Sequence, residues 1–481
     1  MNKIILRMRN LLLLLPLLFL ISSIPLKAQE SNGYSDSTDF QYLIDYRLPD
    51  WGYSNFYISS AGFNSNGTYS FIAQESDSPL NRAETEQANF NTNVGFSPRY
   101  ELYRESELRT FSLDVLSGIS TNFSKSKQDD ISGSNTNESE GNFNGQSIQS
   151  RVSLAHNYYT SENVFFITNL FADIRYRRDN GESEIDGIVV NEETSIGRSL
   201  NFTPTLGIGF GRIRNVTPII RAIRFNERYK ALGSNSFSGD EIQNTADTFT
   251  RIQGYRRTTD RFQKYFWDDI NNGLNGKLDQ IGAFDMFYLN DVFDENLGSR
   301  FEGYEAAFSV DYIYANRLTK QDDKLNNTET RIFTLNRQAS LNFNIDWFRN
   351  IDLYNQLSIR GYNRLMLPLE ESDTEEWTNQ TDIIAEWLWI FADRFTLDTN
   401  LQTRYSTRKL KQNTEDKFGV LSSVLRTNLF YFIENKMAIN AGVSLAYNGV
   451  NREFSDVTIT DRRFQWSVNA GISYYFNRNL Y

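Results

Sequence analysis

No cysteine occurs among the 481 residues. Disulfides, a thiolate metal site and a lipidated N-terminal cysteine anchor are thereby excluded. Histidine is almost as scarce: His156 stands alone, which argues against hydrolytic chemistry built on a histidine with Ser or Asp partners. Long apolar runs are missing too. The one conspicuous stretch, residues 11–24, falls short of the roughly 20 residues that a permanent spanning helix requires. Nothing after residue 28 comes closer, so any membrane span in the rest of the chain must be made of strands. A mean hydropathy of −0.51 does not oppose this, because only every second strand residue of a transmembrane barrel meets lipid, while lumen and loops are polar.

What is present begins with a secretory signal. Lys3, Arg7 and Arg9 precede the apolar run, and Pro25, Leu26, Lys27 and Ala28 lead to a polar start at Gln29. A basic segment, a short apolar segment and a small residue at the cut define a signal peptide over 1–28. Its loss removes four cations and takes the formal net charge from −11 to −15.

Period-two alternation runs through most of the remainder. Met437, Ile439, Ala441, Val443, Leu445 and Tyr447 share one face, with Asn440, Gly442, Ser444, Ala446 and Asn448 on the other. The same dyad sets Phe395, Leu397, Leu401 and Tyr405 against Thr396, Asp398, Asn400 and Arg404, and Phe111, Leu113, Val115, Ile119 and Phe123 against Ser112, Asp114, Gly118 and Asn122. Soluble sandwiches alternate as well. Charges deep within long strands, however, call for a wet lumen. The pattern predicts strands near 54–66, 88–104, 108–127, 147–161, 164–180, 194–214, 300–320, 331–348, 351–370, 376–393, 396–412, 417–434, 437–453 and 462–477. Tight turns at 105–107, 161–163, 349–350, 393–394 and 434–436 fall on one side, and longer polar loops at 66–87, 128–146, 181–193 and 454–461 on the other. Short periplasmic turns alternating with long extracellular loops are a property of outer-membrane barrels. Residues 40–48 and 69–74 are candidate extra strands, so twelve or sixteen strands also fit. Trp347, Trp377, Trp387, Trp389 and Trp466 suit interfacial girdles.

The C-terminal segment, with Asn469, Gly471, Tyr474, Phe476 and a final Tyr481, resembles the assembly signal of bacterial outer-membrane β-barrel proteins, and the Asn- and Tyr-rich strands resemble those of Bacteroidota. The resemblance implies an all-β transmembrane fold, an antiparallel up-and-down β-barrel of about 14 strands in the outer membrane. It implies outer-membrane lipid, lipopolysaccharide and the barrel assembly machinery as partners, and no cofactor.

Residues 215–299 interrupt the alternation, dividing the barrel into 29–214 and 300–481. Helical spacing begins at Thr217 and Pro218, with Gly233 as a stop. Ser238 and Glu241 have capping-box spacing ahead of Ile242, Ala246, Phe249 and Ile252. Further helices are expected over 260–271 and 284–293. By turn parity this insertion is periplasmic. Between Arg212 and Lys264 eleven Lys/Arg face five Asp/Glu. Arg221, Arg224, Arg228, Arg256, Arg257 and Arg261 therefore read either as the solvated face of a small bundle or as a docking surface for a periplasmic protein or the anionic cell wall. Nucleic acid does not suit that compartment.

Alternation turns Asp173, Arg175, Arg177, Glu305, Asp311, Asp346, Arg360, Arg364, Asp398 and Arg404 inward. They read either as mutually satisfied ion pairs or as a polar conduction path. Three weaker motifs add no chemistry. Gly207, Gly209 and Gly211 close a strand and lack a βαβ context. Asp129-Asp130 and Asp322-Asp323 lack calcium-loop spacing. His156 falls on the lipid side near the interface. A porin-like or transport barrel, not an enzyme, is the leading expectation. A scaffold barrel that docks a partner through its helices is the alternative, and an outer-membrane hydrolase is a distant third.

Overall fold

The structure is a computed structural model that describes residues 37–74, 83–132, 135–293, 295, 297–370, 375–391, 395–410, 417–434, 437–454 and 457–474. The signal segment, Phe476 and Tyr481 lie outside the described residues. The sheet and the inserted helices belong to one compact unit that begins at Tyr42.

One antiparallel sheet dominates. Its strands are β1 (Trp51–Gln74), β2 (Ala83–Ser106), β3 (Arg109–Ser132), β4 (Asn135–Tyr159), β5 (Val164–Ile185), β6 (Ile188–Asn215), β7 (Phe301–Asp323), β8 (Thr328–Asn350), β9 (Asn355–Pro368), β10 (Glu375–Phe391), β11 (Phe395–Leu410), β12 (Lys417–Glu434), β13 (Met437–Phe454) and β14 (Val457–Tyr474). Neighbours in sequence are neighbours in space from β1 to β14. This is the up-and-down order that alternation and short turns dictate, because each strand can pair with the next through a hairpin at once. The order is linear among the described residues, and both outer strands are open to solvent along most of their length. Phe63 on β1 and Trp466 on β14 are 71% and 70% exposed.

Side-chain exposure fixes the two faces. Ile148, Ile174, Leu206, Ile208, Phe308, Phe343, Ile359, Ile383, Val443 and Val468 stand exposed on the outer face. Asp173, Ser309, Asp311, Ser340, Asn342 and Asp382 are buried on the inner face. An apolar outside and a polar inside invert the soluble pattern, and only lipid rewards that arrangement. The chain has the fold of an outer-membrane β-barrel protein.

Several boundaries differ from expectation. Residues 66–74 and 128–132 continue β1 and β3, and 181–185 and 188–193 belong to β5 and β6. The expected long loops are thus largely strand: alternation persists there, but in Asn, Ser and charged residues whose polarity reads as loop. Residues 69–74 end β1 and do not form a strand of their own. Within 40–48, helix α1 (Ser37–Asp45) replaces the expected strand. The β8–β9 turn is Ile351–Tyr354, because Arg349 and Asn350 still pair with Leu357 and Gln356.

Between β6 and β7 lie helices α2 (Thr217–Ala231), α3 (Gly239–Thr250), α4 (Ile252–Thr258), α5 (Phe262–Gly273) and α6 (Ala283–Asn290), followed by a 3₁₀ turn at Asp291–Phe293. Ser238 caps α3 in a full capping box with Glu241. Thr217, a residue type that suits an N-cap just before Pro218, is instead the first helical residue of α2, behind Val216. Its hydroxyl takes the backbone N–H of Arg300 at 2.8 Å, tying the start of the helical unit to its end. The expected second helix breaks at Arg251, which ends α3 and begins α4.

Candidate functional site

The end of the sheet that carries the helices, here the near end, holds a large cluster of buried apolar residues. Ile219, Ile220, Ile223 and Phe225 of α2 pack with Ile242, Ala246 and Phe249 of α3, Phe266 and Ile270 of α5, and Leu289 of α6. α3 and α5 each bury one stripe, as amphipathic helices do, whereas α2 is buried nearly all round, without a break from Ala222 to Asn226. That core does not stop at the helices. Leu353 in the β8–β9 turn and Ile390 at the near end of β10 belong to it, and Leu388 packs against it.

A second attachment joins α4 to β1 and β2. The Asn55 side-chain amide donates to the Arg257 carbonyl at 2.9 Å. The Arg257 guanidinium stands 3.6 Å from the Glu101 carboxylate. α4 lies directly on the wall at Gly254, where a Cβ would stand at ordinary contact distance, 3.5 Å from the Trp51 ring and 3.9 Å from Tyr53 Cβ. Trp51 and Tyr53 cluster with Tyr103 on the inner face, at centroid distances of 5.1 and 5.9 Å. A cavity of about 540 Å³ lies between this aromatic wall and residues of α2 and α4, with Glu105, Arg221 and Arg256 at its polar margin.

Third come the near-end clamps. Glu107 in the β2–β3 turn accepts from Arg214 at 3.1 Å and from the Leu48 backbone N–H at 2.8 Å, with Arg212 3.4 Å away. Burial pushes its carboxyl up, but those bonds and the two guanidinium charges outweigh it and hold Glu107 below the usual range. Arg300, fully buried, donates to Asn350 at 2.9 Å and to the Asp352 carbonyl at 3.2 Å. Burial lowers its pKa to about 10, against the pull of Asp352 and Glu302.

The six expected surface arginines divide. Arg221 donates to the carbonyls of Val292, Phe293 and Glu295. Arg224 is buried and pairs with Glu295 at 2.9 Å. Arg228 pairs with Glu295 at 2.5 Å and donates to the Tyr288 carbonyl. These three are turned inward and bind the chain around 291–295 onto α2, so they form no surface. Their spacing at i, i+3 and i+7 on one helix face was the available signal. Arg256 lies over the Phe262 ring, Arg257 reaches Glu101, and Arg261 is exposed with a positive φ of 52°.

Inner charges are mostly paired. Asp173 accepts from Arg151 and Arg175, and Arg177 pairs with Asp179 at 2.6 Å. Arg364 reaches Asp311 at 3.4 Å, Arg360 meets Glu386 at 2.8 Å, and Arg404 meets Asp382 at 2.6 Å. Glu305 accepts from the Tyr159 hydroxyl and the Ile213 N–H. Asp346 sits between Glu305 and Arg360 in the ladder, and Asp398 opposite Leu388 and Asn428. Arg151, Asp382 and Glu386 complete these pairs, and Arg99 adds another with Glu101 and Asp114; of these only Asp114 was placed inward by the alternation read from the sequence, although extending it by a few residues finds the rest. Gly209 leaves room for the inward Phe165 ring, which a Cβ there would strike. Asp129, Asp130, Asp322 and Asp323 engage Lys127, Gln128, Lys320 and Asn326 respectively. His156 lies among Phe111 and Tyr158.

On β14, Asn469 and Gly471 pair with Gly442 and Asn440, and Tyr474 with Met437.

No family model and no curated protein matches the chain. Among solved structures it is similar to the RagAB peptide transporter at 8% identity and a TM-score of 0.32, over 79% of this chain and 52% of that one. It is also similar to the ferric yersiniabactin uptake receptor FyuA from Yersinia pestis, at 7% identity and a TM-score of 0.28, over 89% of this chain and 73% of that one. The chain thus spans about half the length of the first. The fold assignment rests on the sheet itself.

Proposed function

We propose that this protein is an outer-membrane transport barrel whose periplasmic mouth is stoppered by residues 217–293, and that polar solutes pass when this helical unit yields. One observation carries the reading: the core of the helical unit is continuous with inward residues of β10, while α4 is fastened to the inner faces of β1 and β2. A unit docked only as a scaffold needs no such contact with the lumen wall. The inner face beyond it is polar and carries both signs of charge, which suits solutes without strong charge preference. Barrel assembly would proceed through Asn469, Gly471, Tyr474, Phe476 and Tyr481.

Because the chain lacks cysteine, a single engineered disulfide tests the stopper. Tyr53→Cys with Gly254→Cys brings two Cβ atoms to the roughly 3.8 Å that a disulfide favours. In planar bilayers the oxidised double variant should conduct less than its reduced form. Equal conductance in the two redox states, with the disulfide verified, would reject the stopper and leave the scaffold reading.

A further inference from the structure

We infer that the outer face of β5–β8 carries a binding site for the phosphorylated headgroup of a glycolipid in the outer leaflet. This rests on the proposed orientation, in which the end remote from the helices is extracellular.

The ladder brings the site together. Arg178 pairs with Ile196, Ile196 with Lys320, and Lys320 with Arg331, so one unbroken row crosses four strands with three cations in it. In the adjacent row toward the near end stand Tyr176, Arg198, Leu318 and Phe333. All eight side chains share the outer face with Ile174, Leu206, Phe308 and Phe343, which are exposed and apolar. The next row outward is Asn180, Thr194, Asp322 and Glu329. Reading up the outer face therefore gives an apolar band, then cations, then carboxylates.

Two of these features separate a binding site from a solvated charge belt. On neighbouring β3 and β4 the outward lysines are spent on partners: Lys125 on Glu140, and Lys127 on Glu138 at 2.8 Å and Asp129 at 3.2 Å. On β5–β8 the carboxylates Asp322 and Glu329 both go to Lys320, at 2.9 and 3.3 Å. Arg178, Arg198 and Arg331 are exposed and make no ion pair among the described residues. Arg198 lies over the Tyr176 ring at 5.6 Å, which keeps its guanidinium at the edge of the apolar band.

Strands about 4.8 Å apart spread the row over roughly 14 Å, wide enough for more than one phosphate. Guanidinium groups bind phosphate oxygens through paired N–H donors. The occupant must also tolerate the lipid-facing surface directly beneath, which is continuous with the site. A phosphorylated sugar headgroup with its acyl chains along Tyr176, Leu318 and Phe333 meets both demands.

The test uses the full-length protein in neutral detergent and follows its thermal transition as purified lipopolysaccharide is added. A saturable rise is expected for the wild type and weakens with salt, as screening requires. Arg178→Gln/Arg198→Gln/Arg331→Gln should raise the half-saturating concentration at least roughly tenfold, while Lys125→Gln/Lys127→Gln should not. If the triple variant does not fold, Arg331→Gln alone is measured. An unchanged half-saturation in the variant, an equal response to dephosphorylated lipopolysaccharide, or reproduction of the rise by sodium phosphate would each overturn the site. A response to phosphatidylglycerol vesicles without one to lipopolysaccharide would assign it to the opposite leaflet, and so contradict the orientation separately from conductance.

Discussion

Strands β1 to β8 run 22–28 residues, whereas β9 to β14 run 14–18. Crossing a bilayer takes about 9–11 tilted residues, so the first set has at least twice the length it needs. The outer face shows where the excess begins. On β3 the outward positions from Phe111 are apolar but for Ser117 and Thr121 up to Phe123 and then become Lys125, Lys127 and Asp129; on β5 they are apolar but for Thr168 up to Tyr176 and then become Arg178, Asn180 and Glu182. On β13 the outward residues are apolar from Met437 to Tyr447 and then become Gly449, Asn451 and Glu453, so the shorter strand also outruns the apolar band, by a shorter stretch. Strand length and membrane span are therefore separate quantities in this chain. Backbone pairing continues beyond the lipid, and only side-chain chemistry marks the edge.

The junction between the two sets is where the largest effect is expected. Arg224 joins Glu295 and the hydroxyl of Tyr354, in the turn between β8 and β9. Arg224→Gln with Arg228→Gln leaves the nearly buried Glu295 carboxylate without either guanidinium partner, and breaking such a pair costs about 3–5 kcal/mol. Limited proteolysis should then cut within 217–293 of a protein whose sheet is still heat-modifiable; resistance equal to wild type would show that these pairs do not hold the helical unit.

Next in size are substitutions that separate band from projection. Ile208→Arg and Val443→Arg put a charge in the lipid band and should each cost about 2–4 kcal/mol. Asn142→Arg, outward on the projecting part of β4, should change stability by less than about 0.5 kcal/mol, and Ser444→Arg on the inner face should cost much less than Val443→Arg. Equilibrium unfolding from lipid vesicles measures all four. Similar losses for Ile208→Arg and Asn142→Arg would erase the distinction between the two parts of the long strands.

The smallest expected effect is pH dependence in the helical unit. Burial pushes Glu241 up, but Lys277 at 2.7 Å and the Ser238 N–H outweigh it, so its carboxyl titrates below the usual range. A depressed folded value contributes stability above the ordinary glutamate pKa, and this is lost as pH falls through that window. Asp247 is raised by burial, against the Gln243 amide. Its sign is opposite: ionisation is penalised, and stability is regained as pH falls through its elevated value. Glu241→Gln should cost about 1 kcal/mol at neutral pH and flatten the acid side of the proteolysis profile, while Asp247→Asn should not. An unchanged acid profile in Glu241→Gln would dismiss the cap as the acid-sensitive element.

Much of the sheet was legible in the sequence, because period-two alternation is imposed on every residue of a strand that has lipid on one side and water on the other. Val443 and Ser444 announce their faces without help. The far ends of β1, β3 and β4 were not legible: beyond the lipid both faces are wet, and Gly141, Asn142 and Asn144 carry no contrast for alternation to act on. The inner ion pairs were half legible, since alternation supplies the inward residue but not the register that sets Asp382 beside Arg404. The fate of Arg221, Arg224 and Arg228 was not legible either. A helix face rich in arginine looks like a surface until the segment that folds back over it, with Glu295 and a row of free carbonyls, is known.

In the proposed orientation the chain crosses the outer membrane with its helices inside and its long strands projecting outward. Single cysteines at Asn142 and at Ser236, in an otherwise cysteine-free protein, test this in intact cells with an impermeant thiol reagent. Asn142→Cys should label at once and Ser236→Cys only after the outer membrane is breached; immediate labelling of Ser236→Cys, with Asn142→Cys protected, would reverse the orientation and remove the basis for a periplasmic stopper.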